Sequence, residues 1–191
     1  MKIKKPNFLK SALEFYRENL ERLMQDQAQI FREKSVKKKL PLVYTLIFPK
    51  THNRALTSFS YGLSFADHPD QYNKIELYLQ INSTDLAWAH IVGYLTNHLR
   101  GDCPFSTGEI IRLGQKVSTE SNLNAFVVIA PDIFKAEEQL KDGRKNSSTI
   151  KLVNLLPIYE QETLTIQRIG LAGFLSRIGN QKLNPNRGII E

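Results

Sequence analysis

The chain has 191 residues, is 41% hydrophobic and 24% charged, and carries a formal net charge of +7. That length supports one well-buried core, and the composition is too apolar for a disordered chain. A single cysteine, Cys103, excludes an internal disulfide framework and suits a reducing compartment.

The N-terminus opens with lysines, but Lys10, Glu14, Arg17 and Glu18 interrupt any apolar stretch of the kind a signal peptide needs. Nowhere do about 18 apolar residues run together, so no membrane-spanning helix is expected and the expected location is cytoplasmic. The basicity is local. Residues 1–40 hold 11 Lys/Arg against 5 acids, a net +6, which leaves the rest of the chain at +1. A basic arm on a neutral body argues against a nucleic-acid-binding fold.

Residues 7–33 read as one long helix with Asn7 as N-cap: Leu9, Leu13, Tyr16, Leu20, Leu23 and Ile30 form a stripe at alternating spacings of four and three, then seven. It is expected to pack on its own domain, with a partner or dimer contact as the alternative. Lys37, Lys38 and Lys39 then read as a solvated linker ending at Pro41. Residues 1–40 are accordingly a basic N-terminal helix and linker, and 41–191 the main domain.

From Leu42 the pattern turns to strands. Val43–Phe48 is one. Residues 55–65 alternate, with Phe59, Tyr61, Leu63 and Phe65 on one face and Ser58, Ser60 and Ser64 on the other. After a turn at Asp67 to Asp70, Ile75–Ile81 points Ile75, Leu77, Leu79 and Ile81 inward and Glu76, Tyr78 and Gln80 outward. A helix over 84–99 follows, capped by Ser83 or Thr84, with Trp88, Ile91, Val92, Leu95 and Leu99 as its buried stripe. Gly101 stops it, and residues 102–108 form a tight loop.

Further strands are expected at 109–113, 125–130 and 150–159, the last at a sheet edge or leaving the sheet at Pro157. Residues 141–148 read as a turn. Residues 162–178 read as a helix weakened by Gly170 and Gly173, and 179–191 as a tail. Strands and helices mix without a regular βαβ alternation, which makes the fold α+β.

Chemistry is thinly represented. Cys103 with His98 and Asp102 is the one tempting set, yet the thiol follows a helix C-terminus, whose partial negative charge disfavours a thiolate. His52, His68, His90 and His98 lack the spacing of a metal pair. Phosphate-binding glycine motifs are missing as well, and neither Asp67 with Asp70 nor Glu137 with Glu138 is placed in a cleft by the pattern. No cofactor is expected.

Several blocks together resemble the suppressor of fused family. They are Thr57 to Ser64 (TSFSYGLS), Asp85 to Ala89 (DLAWA) with the helix down to Leu99, Arg100 to Glu109 (RGDCPFSTGE), Asn124 to Pro131 (NAFVVIAP), Leu156 to Glu160 (LPIYE), and Asn186-Arg187. The resemblance covers about residues 40–190. It implies a mixed, mainly antiparallel sheet packed by helices, and a non-catalytic protein-binding module.

In animals, members of that family bind Gli-type transcription factors through an extended peptide with a Ser-Tyr-Gly-His-Leu motif, added as a strand between two lobes. Bacterial members are single-domain, and many act as immunity proteins that neutralise partner toxins. A chain of this length is expected to lack the second lobe. Tyr94 and Glu109 match the tyrosine and the acid that meet the peptide in animal members, with Glu standing here for Asp. Asp102 and Phe105, in the same loop, complete the expected protein-binding set.

Two alternatives stand beside this reading. One is an enzyme with a cryptic thiol site at Asp102, Cys103 and His98. The other is nucleic-acid or membrane association through residues 1–40, which should weaken steeply with salt. Neither the partner's identity nor the oligomeric state is legible in the sequence.

Overall fold

A computed structural model describes residues 10–50, 54–68, 74–132, 140–141 and 149–191. The expected N-cap Asn7, the stripe's Leu9, His52, Pro69, Asp70, Glu137, Glu138 and most of the 141–148 turn lie outside these residues.

The elements are α1 (Ala12–Met24), β1 (Gln29–Glu33), β2 (Val43–Phe48), β3 (Leu56–Tyr61), β4 (Lys74–Ile81), α2 (Ala87–Leu99), β5 (Ile110–Arg112), β6 (Ala125–Ile129), β7 (Leu140–Lys141), β8 (Thr149–Ile158) and α3 (Glu162–Ile178). The strands form one sheet in the order β1-β2-β3-β4-β8-β6-β5, with β7 also pairing β8. Every pairing is antiparallel except β4 with β8. The fold is α+β with a mixed, mostly antiparallel sheet.

Strand alternation sorts the core into two faces. On one, Leu77, Leu79, Phe126, Val128 and Leu155 pack beneath α2 around Trp88 and Val92. On the other, α1 covers Leu46, Phe59 and Tyr78 with Tyr16 and Leu20, while α3 covers Ala125, Val127 and Leu156 with Ile166 and Phe174. The sheet is therefore the middle of three layers.

This layering corrects the one-sided strand reading. Ser58, Ser60, Glu76 and Tyr78 are all buried, not outward, and only Gln80 is partly exposed. The small side chains of β2 and β3 have a steric purpose: α2 comes so close at Gly93 that an added Cβ would lie 2.2 Å from Thr45 Oγ1. Residues 63–65 are not strand either, but a 3₁₀ turn.

The single helix expected over 7–33 is also corrected. Ser11 caps α1 through a capping box with Glu14, and Gln25, in the left-handed region at φ 51°, closes it. The chain then extends, and β1 joins the sheet edge with Gln29 opposite Ile47 and Glu33 opposite Val43. An a/d-like stripe can continue through a strand whose side chains alternate, so spacing alone did not reveal the break.

Pro157 is not on an edge strand, since β8 is central. It lies beyond Asn154, the last residue paired with β4, so its missing N–H interrupts no bond on that side. Gly170, at φ 74°, kinks α3 where the sequence places a weak point.

The C-terminal tail is the last correction. Arg187 is fully enclosed and forms a fork with Glu162 at the start of α3, Nη1 to Oε1 at 2.5 Å and Nη2 to Oε2 at 2.6 Å. Glu162 also accepts the N–H groups of Tyr159 (2.9 Å) and Ile190 (2.8 Å). The chain end is thereby part of the core.

Candidate functional site

The loop from Arg100 to Glu109 is built on two buried charges. Glu76, on β4, accepts the Ser60 hydroxyl at 2.6 Å and the N–H groups of Gly62, Leu63 and Ser64 at 2.9, 3.2 and 3.1 Å. These donors take the place of the water that a buried carboxylate gives up. Gly62 is required at its φ of 143°, where Val43 Cα would crowd a Cβ at 3.2 Å.

Opposite stands Arg100, whose Nη1 donates to Gly62 O (3.1 Å) and Nη2 to Pro41 O (2.8 Å) and Ser35 Oγ (2.5 Å). Burial lowers its pKa, and the Glu76 carboxylate works against that shift. Together the two charges fix the 62–64 turn and draw the 35–41 segment onto the end of α2.

That segment contains the lysine run, which is docked and not a free linker. Val36 N–H donates to Asn97 Oδ1 at 3.1 Å, and Asn97 Nδ2 donates to Lys34 O at 2.9 Å. Lys37 forms an ion pair with Asp102. Through that pair Lys37 lies just past the C-terminal end of α2, where the helix dipole favours cations.

From Gly101, left-handed at φ 82°, the chain turns back on itself, and the Asp102 and Cys103 N–H groups both donate to Leu99 O. Phe105 also sits in the left-handed region, at φ 51°, which is uncommon for an aromatic residue and directs its ring into the core. Beside it is His68, edge-on to the Phe105 ring at 5.7 Å. The His68 ring nitrogens lie against two carbonyl oxygens, Nε2 against Leu63 at 3.2 Å and Nδ1 against Cys103 at 3.0 Å. A second turn closes from Glu109 N–H to Ser106 O (2.9 Å), and Gly108 and Glu109 then join Val128 of β6.

Phe105, Ser106 and Thr107 form one wall of a cleft of about 220 Å³, with Ile129 to Pro131 and Lys151 to Val153 as the other sides. Next to it runs β5, an edge strand that no further strand borders among the described residues. An apolar floor, two hydroxyls, one ammonium and a strand edge suit an extended polypeptide, which can add main-chain hydrogen bonds and seat a side chain in the cleft.

The four expected binding residues fall in different settings. Asp102 is exposed and paired with Lys37. Glu109 is half-buried where the loop enters β5. Phe105 is only 1% exposed, so it shapes the loop and backs the cleft wall from beneath. Tyr94 lies on the outer face of α2, 47% exposed, with its ring 4.1 Å from that of His98. Tyr94 and Glu109 share no hydrogen bond or ring contact among the described residues.

The alternative thiol set does not assemble. Burial pushes the Cys103 thiol up, with Glu109 adding to the shift and a bond from the Phe105 N–H partly offsetting it. His98 is occupied with Tyr94 O at 2.9 Å, and Asp102 with Lys37.

Sequence reasoning missed the three residues that organise the loop. Glu76 has the outward phase of a strand alternation, Arg100 looks like a polar helix end, and His68 sits in an apparent surface turn. A charge inside an apolar strand, Glu76 between Ile75 and Leu77, was the one available signal.

No family model matches the sequence, and no curated protein does. Solved structures do. A suppressor of fused homologue of Neisseria gonorrhoeae superposes with a TM-score of 0.64 at 14% identity, over 92% of this chain and 94% of that one. The structure of a Sufu–Fu complex gives 0.58 at 15% identity, over 97% and 93%. Drosophila Suppressor of Fused gives 0.60 at 15% identity over 93% of this chain, which spans 50% of that one. At this identity the likeness establishes the fold: the chain has a suppressor-of-fused-like domain.

Proposed function

We propose that the protein is a non-catalytic, stoichiometric polypeptide-binding module of the immunity type, which binds and neutralises a partner toxin in the cytoplasm. The observation that carries the binding reading is the cleft behind residues 105–107 beside the open edge of β5. One solved neighbour is itself a Sufu–Fu complex, which supports a protein as the kind of ligand. In this reading Glu109 and Asp102 supply acceptors at the rim, the β5 edge supplies main-chain bonds, and Tyr94 makes a separate aromatic contact from α2. The near-neutral body suits a target other than a strongly basic nuclease.

The test is affinity capture from the native host with the wild-type chain and with Glu109→Lys, followed by co-expression of the captured partner. The proposal expects a protein retained by the wild type, lost by Glu109→Lys, and toxic to cells unless the wild-type chain is present. Retention of the same partner by both forms would remove the site. A partner without toxicity would remove the immunity role and leave the binding role standing.

A further inference from the structure

The opposite end of the sheet carries a second surface. Strand β1 is outermost among the described residues, runs five residues without proline or bulge, and has four of those residues exposed. Ile30 is 39% and Phe31 37% exposed. Soluble proteins usually blunt such an edge with a proline, a bulge or a covering element, because its free main-chain groups template another strand. Here the edge is flat and apolar at its centre. The Phe31 ring is held in place by an edge-on contact with His90, at 4.5 Å and 89°.

We propose that β1 pairs antiparallel with β1 of a second copy of this chain, joining two sheets into one across a two-fold axis at Phe31. The sequence Gln29-Ile30-Phe31-Arg32-Glu33 is complementary to itself in that register. Phe31 meets the second copy's Phe31, an aromatic cross-strand pair. Gln29 lies opposite the second copy's Glu33, amide to carboxylate. Ile30 lies opposite Arg32, whose aliphatic stem covers it.

No like charges face each other in this arrangement. The two-fold axis repeats the Gln29–Glu33 and Ile30–Arg32 pairs twice and uses up the same edge on both copies, so the contact closes as a dimer and does not extend into chains. This surface is independent of the cleft beside β5.

Sedimentation of the full chain across a concentration series tests the pairing. The expected result is a reversible species of twice the 21.9 kDa chain mass. Phe31→Glu, which sets two carboxylates on the axis, should raise the dissociation constant by about tenfold or more while leaving the far-ultraviolet circular dichroism of the folded chain unchanged. In a Cys103→Ser background, Phe31→Cys should cross-link under mild oxidation. Facing Cα atoms of an antiparallel pair lie about 4.5–5.5 Å apart, within disulfide reach. Leu164→Cys, at a site on α3 that is 72% exposed, should not cross-link.

A monomer at every soluble concentration overturns the proposal. So does a dimer indifferent to Phe31→Glu whose Phe31→Cys form fails to cross-link, since the interface then lies elsewhere. If a dimer appears only after residues 2–9 are deleted, that segment covers the edge in the intact chain, and the proposal is again overturned.

Discussion

Replacing Arg187 with methionine isolates the claim that the chain end is built into the core. In the native protein the Arg187–Glu162 fork is fully enclosed, with both side chains at 0% exposure. Arg187 Nη1 also donates to Gly188 O at 3.0 Å, and Nη2 to Pro157 O at 3.3 Å. Arg187→Met preserves much of the volume but leaves Glu162 with only the Tyr159 and Ile190 N–H groups and no countercharge. Breaking a buried pair by removing one partner costs about 3–5 kcal/mol. That is a fifth or more of a stability of order 5–15 kcal/mol.

Trp88 is the single tryptophan and is fully buried, so its fluorescence reports global unfolding. With a urea slope of about 2–3 kcal/mol/M, the midpoint should fall by about 1.5 M, at unchanged slope. Adding Glu162→Gln should recover part of the loss by removing the stranded charge. A midpoint shift below about 0.3 M would refute the reasoning, because it would mean that the pair is solvated and residues 179–191 are a tail after all.

Three further outcomes follow from the same physics. Leu20→Ala should cost about 2–5 kcal/mol in the same urea assay, because Leu20 is enclosed against the sheet; a negligible cost would mean that α1 is a detachable arm. Asp85 is held below its ordinary pKa of 3.8 by the Ser118 hydroxyl and then the Ala87 N–H, with burial opposing. A depressed carboxylate stabilises the fold fully above its unfolded pKa and loses that contribution as pH falls through the folded value. Ser118→Ala should therefore be less stable at neutral pH and should close part of its gap to wild type in strong acid, keeping only the loss of the Glu120 N–H bond to Ser118 Oγ; parallel curves down to the lowest pH would exclude this linkage. Cys103, with its pKa raised by burial, should react with a thiol reagent more slowly than a free cysteine at neutral pH; faster labelling would revive the cryptic thiol site.

Much of this fold could be read from alternation and punctuation. The strand at Ile75–Ile81 and the helix over Trp88–Leu99 carry a strong period. Gly101 marks a helix end, Gly170 a kink, and the mixed order of elements an α+β domain. What escaped was whatever depends on a third layer. A sheet covered on both faces buries Ser58, Tyr78 and Glu76 in positions that a two-layer reading assigns to solvent. The break at Gln25 depends on one left-handed residue that is not glycine.

The 100–109 loop was legible as a tight, structured turn from its resemblance and its turn residues. Its supports, Glu76, Arg100 and His68, were not, because each is satisfied by main-chain partners far away in the chain. The docking of Arg187 was hidden for the same reason. An ion pair spanning 25 residues leaves no local periodicity.

The central claim is that this domain works by holding another polypeptide at the cleft and edge strand beside Glu109. Calorimetric titration of the captured partner into wild-type and Glu109→Lys protein tests it most directly. Reversing the charge of this rim acceptor sets an ammonium against the partner's donors and should cost about 2 kcal/mol or more, roughly a thirtyfold loss of affinity, with the unfolding midpoint unchanged. Equal affinity of the two proteins would contradict the account.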